Sequence, residues 1–118
     1  MLLIVKSKLT GEELKRAAED LDGYVKFVVD LKWEIMTVGG KRHVEGERLL
    51  LERGSRQSDL WGGGIDLETD QMDFDSMINI RPKDDNPSRE VLDSGIRKKM
   101  EEIVRKYVEA ETPRSHSV

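Results

Sequence analysis

The chain contains no cysteine and few aromatic residues. Of its 118 residues, 5% are aromatic and 36% are hydrophobic, whereas 37% are charged. The lack of cysteine excludes disulfide bonds, thiol catalysis and thiolate metal sites, and it is typical of a reducing compartment. With so few apolar side chains the core must be lean, and most charged side chains must lie at the surface or in ion pairs.

Long hydrophobic runs are also missing. After Met1 only four apolar residues precede Lys6, a run far too short for a signal peptide or a membrane span. We therefore predict a soluble, cytoplasmic protein without a membrane partner. The formal net charge of -4 is too small to indicate disorder, and it points to no class of partner.

The length predicts one domain. A chain of 118 residues is large enough for a single core and too small for two. We predict a single domain over residues 1–110. Residues 111–118 offer nothing to bury, so we expect them to form a mobile C-terminal tail.

The N-terminal segment contains strand and helix signals. A short apolar run over residues 2–5 predicts a buried strand. Thr10 and Glu13 fit a capping box, in which each side chain accepts from the other residue's backbone N–H. An apolar stripe at helical spacing then predicts a helix, and its members are Leu14, Ala17, Ala18 and Leu21.

A change of hydrophobic period to two marks the next segment. It predicts a β-hairpin with strands at residues 24–31 and 35–38 and a turn at residues 32–34. Residues 43–53 suit either a helix or a buried strand, and we favour the helix.

Glycine and proline divide the following segment. We expect the glycines at residues 62–64 to break the chain before a strand at residues 65–68. An acidic turn leads to a second predicted strand at residues 74–80, which Pro82 ends because proline lacks a ladder donor. Residues 83–88 have the composition of a loop.

The last helix completes the predicted fold. Apolar residues recur at helical spacing from Ile96 to Val108, and Asp93 or Ser94 serves as the cap. The elements together predict an α+β fold. It consists of a mainly antiparallel four- to five-stranded sheet, with the N- and C-terminal helices packed on one face.

Two groups of side chains are candidate metal ligands. On a strand, His43, Glu45 and Glu47 would project to one side and could hold a divalent metal, whereas on a helix only His43 and Glu47 would meet. Five carboxylates within ten residues could bind Mg²⁺ or Ca²⁺ weakly, although a polar strand face explains them more simply. These are Asp66, Glu68, Asp70, Asp73 and Asp75.

Trp61 followed by three glycines is a candidate ligand site. Gly62 and Gly63 would let the backbone approach a ligand, and Trp61 would supply a flat apolar wall. No Lys-Ser or Lys-Thr follows, so the pattern does not fit a phosphate-binding P-loop. The competing interpretation is a bend at the entry to a strand, next to a core tryptophan.

The loop from Arg81 to Arg89 is the strongest candidate for binding. Arg81 and Arg89 could grip a carboxylate or phosphate, and Asn86 and Ser88 could add hydrogen bonds. Pairing within the chain could use up the same arginines, since acidic residues are close in sequence. The acidic residues are Asp84, Asp85 and Glu90.

Two basic stretches raise the question of nucleic acid. One lies within residues 41–56 and the other lies along the last predicted helix, and glutamates interrupt both. Without a stacking platform or a recognition motif, we favour two solvated charged faces over a nucleic-acid partner.

Several motifs identify a family. They are Gly39-Gly40-x-x-His43 with Glu45 and Glu47, Leu50-Leu51-Glu52-x-Gly54-Ser55, Gln57-x-Asp59-Leu60-Trp61-Gly62, Phe74-Asp-Ser-Met-Ile-Asn-Ile-Arg-Pro82, Asn86, Ser88 and Ile96-Arg97-Lys98-Lys99. With these motifs the chain resembles a small family of prokaryotic proteins catalogued as a domain of unknown function. The resemblance covers about residues 1–110 and implies no catalytic residue.

Three functions follow from these patterns. We favour a small domain that binds an anionic small molecule or a protein partner through the 81–89 loop beside Trp61. The first alternative is a metal-dependent, hydrolase-like enzyme that uses His43, Glu45 and Glu47, and the second is nucleic-acid binding. Whether the protein is an enzyme stays open, and no cofactor is predicted apart from a possible divalent cation. A Ser-His triad is not expected, because His116 lies in the tail.

Overall fold

The fold is a five-stranded antiparallel sheet with three α-helices. A computed structural model describes residues 1–109, so the predicted tail lies outside the described residues. The strands are β1 (Leu3–Val5), β2 (Tyr24–Asp30), β3 (Ile35–Val38), β4 (Leu60–Asp66) and β5 (Gln71–Asp73), in the order β1-β3-β2-β4-β5. The helices are α1 (Gly11–Ala18), α2 (His43–Glu52) and α3 (Ser94–Tyr107). The predicted α+β class and the β2–β3 hairpin are confirmed.

Helices α1 and α3 cover one face of the sheet, as predicted. Thr10 and Glu13 form the expected capping box, with N···O distances of 3.1 and 2.9 Å. Asp93, rather than Ser94, caps α3 by accepting from two backbone N–H groups. Side chains of both helices join the sheet in one apolar core, which includes Ala17, Val25, Phe27, Val29, Met36, Trp61, Ile65, Met100, Ile103 and Val104.

Helix α2 covers the opposite face, and its prediction as a helix is confirmed. The helix crosses the sheet closely at Gly46, where a Cβ would lie 3.1 Å from a methyl group of Val28. The apolar cluster on this face is small and consists of Val28, Leu50 and Leu60. None of the helices within residues 1–109 combines the length and the apolar content that a membrane crossing requires.

The predicted strands of the third quarter need correction. The glycines at residues 62–64 do not break the chain but lie inside β4, which pairs with β2 along its whole length. The second strand is only Gln71–Asp73, and residues 74–80 are not a strand. Ser76 accepts from the N–H of Ile78 and starts a 3₁₀ turn, because a short polar side chain competes with ladder hydrogen bonds. An alternating sequence pattern alone did not reveal this.

Residues 74–92 form one long connection between β5 and α3, which we call the 74–92 loop. Two backbone hydrogen bonds join its ends, from Ser76 N–H to Arg89 O and from Val91 N–H to Phe74 O, both 3.0 Å long. The loop therefore returns to its starting point beside the sheet.

Candidate anion-binding cleft

A cleft of about 270 Å³ opens between the start of α2, strand β2 and the 74–92 loop. Four basic side chains, one histidine, one serine and three apolar side chains line it, and among residues 1–109 no carboxylate does. The lining residues are Lys26, Lys41, Arg42, His43, Val44, Ser76, Met77, Ile78 and Arg89. We call this feature the basic cleft.

The α2 wall of the basic cleft begins with a glycine turn. Gly40 has a φ of +82°, and a Cβ there would lie 2.8 Å from a carboxylate oxygen of Glu45. That carboxylate accepts from the backbone N–H groups of Lys41, at 3.0 Å, and Arg42, at 3.4 Å. The turn thus places two cationic side chains at a helix N-terminus, where the helix dipole favours anions instead.

Most cations of the basic cleft have no acidic partner. Within residues 1–109, Lys26, Lys41 and Arg42 form no ion pair, whereas Arg89 Nε lies 3.0 Å from the Asp75 carboxylate. Asp75 partly neutralises Arg89, so the positive charge of the cleft comes mainly from the other three side chains.

His43 is fixed at the inner end of the α2 wall. Its side chain is 9% exposed, and Nε2 lies 2.6 Å from the carbonyl oxygen of Gly63. A carbonyl only accepts, so Nε2 carries a proton and Nδ1 is the remaining nitrogen. Within residues 1–109 Nδ1 has no hydrogen-bond partner, and it is not fully enclosed. Burial lowers the pKa of His43 below its usual value of 6.5.

The glycines of β4 allow close packing on both faces of the strand, with Gly62 facing residues of the cleft and Gly63 facing the apolar core. A Cβ at Gly62 would lie 2.9 Å from Ser76 Oγ and 3.0 Å from His43 Cδ2, and one at Gly63 would lie 2.8 Å from Phe27. Close packing, rather than a left-handed backbone, therefore explains these glycines. The His43 atom that faces Gly62 is a ring carbon and not a nitrogen. A carbon cannot take a proton from Ser76, so this contact gives no support for a Ser76–His43 catalytic pair.

The side chain of Asn79 attaches the 74–92 loop to the sheet. It is fully buried; its Oδ1 accepts from Gly62 N–H at 2.8 Å, and its Nδ2 lies 3.0 Å from Gly62 O. The same Nδ2 reaches Phe74 O at 3.2 Å and Arg89 O at 3.0 Å. The amide thereby replaces a neighbouring strand at the edge of β4 and fixes both ends of the loop.

Asn86 closes the inner turn of the same loop. Its side chain is 3% exposed, and Nδ2 donates to the carbonyls of Asn79, Ser88 and Glu90 over 2.9 to 3.0 Å. Its Oδ1 accepts from Leu92 N–H at 2.9 Å. Because the side chain is buried and bonded within the loop, Asn86 supports the loop and is not available to a ligand.

Arg81 is buried against Trp61, away from the basic cleft. Its guanidinium carbon lies 3.9 Å from the centre of the indole ring, and Nη1 donates to Gln57 O at 2.5 Å. Nε lies 3.4 Å from the Asp84 carboxylate, while Nε and Nη2 are enclosed without a hydrogen bond to any group of residues 1–109. Such stacking of a cation on an aromatic ring contributes about 1 to 2 kcal/mol when desolvated.

A second cleft, of about 370 Å³, runs past Arg81 but includes Asp84 in its lining. Burial lowers the pKa of Arg81, and the charges of Asp84, Glu47 and Asp59 act against that shift. The arginine stays charged, since guanidinium groups do not lose their proton in proteins. Its charge is already balanced by carboxylates, which makes this cleft a poor environment for an anion.

The candidate metal ligands each have a different environment. His43 bonds to Gly63, Glu45 accepts from the start of α2, and Glu47 is buried beside Gln57, 3.3 Å from its amide. Across residues 1–109 no group of three or more His, Asp or Glu side chains is arranged to hold a metal ion. The structure therefore does not bring His43, Glu45 and Glu47 together.

The five acidic side chains of residues 66–75 are also dispersed. Asp73 accepts from the Tyr24 hydroxyl at 2.5 Å, and Asp70 pairs with Arg105 at 2.8 Å. Asp66 accepts from the backbone of the following turn.

Of the seven residues predicted for anion or partner binding, Arg89 lines the basic cleft, and so does His43, which was predicted as a metal ligand. The other six residues predicted for ligand binding support the surrounding structure instead, and Ser88 does so by accepting from Glu90 N–H. These six are Trp61, Gly62, Gly63, Arg81, Asn86 and Ser88. The sequence analysis did not select five other residues of the cleft lining as ligand-binding, namely Lys26, Lys41, Arg42, Ser76 and Met77. One signal was present, because Lys41 and Arg42 directly precede a helix, where cations are unfavourable. A local conflict of this kind points to function.

Comparison with known proteins identifies the family. The chain belongs to the family described as "Protein of unknown function (DUF5674)", whose profile matches residues 3–107. No curated protein and no solved structure matches the chain significantly. The resemblance inferred from the motifs is thereby confirmed as membership of a domain family of unknown function.

Proposed function

We propose that this protein is a binding domain that holds a small anionic ligand in the basic cleft. The observation that carries the proposal is the convergence of Lys26, Lys41 and Arg42, all without an ion pair in residues 1–109, on one cleft without a carboxylate in its lining. Three other clefts within residues 1–109 each include at least one carboxylate in their lining. An anion in the cleft would meet three cations from two separate elements.

The walls of the cleft support this role because they are held rigidly. Asn79 and Asn86 fix the 74–92 loop, and Glu45 fixes the turn before α2. A preformed site binds more tightly than a flexible one, since less conformational entropy is lost on binding. The proposal retains Arg89 from the predicted 81–89 loop and moves the site from Trp61 and Arg81 to the start of α2.

The test compares two double variants of the full chain. In Lys41→Gln/Arg42→Gln two cations of the cleft are removed, and in Arg48→Gln/Arg53→Gln two exposed cations of the α2 region outside the cleft are removed. Binding of inorganic phosphate, sulfate and citrate is measured by calorimetry and by amide chemical shifts. Because a hydrogen bond to a charged group contributes about 1.5 to 3 kcal/mol, the first variant should bind at least tenfold more weakly.

The control variant Arg48→Gln/Arg53→Gln shows which results would contradict the proposal. Equal weakening in both double variants would mean that the protein attracts anions through its general charge, and the proposal would then be wrong. Shifts spread over the whole surface would lead to the same conclusion.

Changing Asp75 to Asn offers an opposite test, since it frees Arg89 and should tighten binding several-fold. The exposed Asp75–Arg89 pair contributes at most about 1 kcal/mol to stability, so folding should hardly change.

A further inference from the structure

The basic cleft has an apolar wall in addition to its cations. Val44 and Met77 are 43% and 67% exposed, and Ile78 lies beside them. Exposed apolar side chains that border a concave site are typical of ligand contacts. A bare inorganic anion would leave this wall unused.

The cationic part of the cleft contains more donors than a carboxylate can use. The backbone N–H groups of His43 and Val44 have no hydrogen-bond partner within residues 1–109. Free N–H groups occur at any helix start, and here the residues that carry them line the cleft together with Lys41 and Arg42. A phosphate monoester carries a charge of about -1.5 to -2 and three acceptor oxygens, whereas a carboxylate has a single charge and two oxygens.

His43 provides a separate observation at the same place. The side chain is more than nine-tenths buried, yet its Nδ1 is left without a partner in residues 1–109 and is not enclosed. Nδ1 can accept from a protonated phosphate oxygen, or it can donate after taking up a proton itself. Either form suits a group that changes between one and two negative charges.

We infer that the ligand is a small phosphate monoester with an apolar body. The inference rests on the proposed anion binding and adds the chemical class of the ligand. The phosphate group lies at the start of α2, among Lys26, Lys41 and Arg42, and the apolar body lies against Met77. A volume of about 270 Å³ is near the lower end of the range for small-molecule sites, so the body has the size of a single ring.

The experiment compares probes that share one apolar body. Phenyl phosphate, phenyl sulfate, benzoate and inorganic phosphate are titrated into the full chain at pH 6, near the second pKa of a phosphate monoester, and followed by calorimetry. We expect phenyl phosphate to bind about tenfold more tightly than each of the other three. A Met77→Ala variant should lose the advantage of phenyl phosphate over inorganic phosphate. Leu92→Ala, which changes another exposed apolar side chain of the same loop outside the cleft, should keep it.

The possible outcomes separate the two proposals. If phenyl sulfate or benzoate binds as tightly as phenyl phosphate, anion binding stands and the phosphate assignment is wrong. If Met77→Ala changes nothing, the apolar contact is wrong. If no probe binds, neither proposal holds. A phosphotyrosine peptide that binds more than tenfold more tightly than phenyl phosphate would assign a protein partner and overturn the small-molecule assignment.

Discussion

The two faces of the sheet are joined to their covering elements by different interactions. On the face of α1 and α3, large apolar side chains such as Phe27, Met36 and Met100 pack into one core. On the α2 face, the apolar cluster contains three residues. All the buried polar and charged side chains found in residues 1–109 lie on this face or in the 74–92 loop. Those polar and charged residues are Asp30, Thr37, His43, Glu47, Ser76, Asn79, Arg81 and Asn86.

This difference indicates a division of roles. Apolar burial is non-directional and supplies most of the folding free energy. Hydrogen-bonded side chains in a low-dielectric interior instead fix one geometry, and each costs stability when its partners are missing. The second face therefore fixes the positions of side chains around the basic cleft, while the first face stabilises the fold.

The largest expected effect on the free energy of unfolding comes from a substitution on the polar face, Asn79→Asp. Asn79→Asp keeps the acceptor for Gly62 N–H. It also places a buried negative charge against three carbonyl oxygens that, in the wild type, accept from the Asn79 amide. We expect the free energy of unfolding to fall by about 4 kcal/mol at pH 7, because an unpaired buried charge is strongly destabilising. Urea unfolding measures it, and binding in the cleft should weaken as well.

Ser7→Asp is the control for Asn79→Asp. It adds the same charge at an exposed position, where the expected change is within about 0.5 kcal/mol. If Asn79→Asp costs no more than Ser7→Asp, the amide does not hold the loop, and the apolar face alone determines stability.

Local signals in the sequence predicted the elements of the apolar face. The Thr10–Glu13 capping box, the period-two alternation of β2 and the helical stripe of α3 each depend on residues close together in the chain. Interactions of this range leave a readable pattern, since spacing and side-chain type decide them. The same reasoning favoured α2 as a helix.

The polar face could not be predicted in the same way. Asn79 bonds to residues up to 17 positions away, and the cleft combines α2, β2 and the 74–92 loop. The alternation of residues 74–80 imitated a strand, because nothing local shows that the Asn79 amide bonds to β4. The sequence also does not separate Arg81 from Arg89. Each lies near one carboxylate, but Arg81 is buried against an indole ring whereas Arg89 is exposed.

A second prediction concerns how closely the polar face is packed. In Gly62→Ala a methyl group would lie 2.8 Å from Ser76 Cβ and 3.0 Å from His43 Cδ2, and neither neighbour is at the end of a flexible side chain. We expect a loss of about 1 to 3 kcal/mol in unfolding free energy, as for other overpacked interiors. Chemical denaturation and the amide shift of His43 measure the effect.

Gly11→Ala is the matched control for this substitution. A Cβ at Gly11, the first residue of α1, meets nothing within 4 Å, so we expect no loss or a gain of up to about 1 kcal/mol. Equal losses at Gly62 and Gly11 would mean that glycine flexibility, not contact with His43 and Ser76, explains the result.

The smallest expected effect is a pH dependence from His43. Burial lowers its pKa; the charge of Lys26 acts in the same direction, while the bond to Gly63 and the charges of Asp73 and Asp75 oppose it. Well above pH 6.5 the imidazole is neutral in both folded and unfolded chains. As the pH falls below that value the unfolded chain takes up the proton first, so stability decreases until the pH passes the lowered pKa of the folded state.

Comparison of the wild type with His43→Gln isolates this contribution. Unfolding free energies are measured between pH 7.5 and 5.5, and the wild type should lose stability more steeply, by at most about 1.4 kcal/mol per pH unit for one proton. His116 is present in both proteins and cancels. Identical slopes would mean that His43 is protonated as easily when folded as when unfolded. The imidazole would then be solvated rather than held in the interior, and the polar face would be looser than the apolar one.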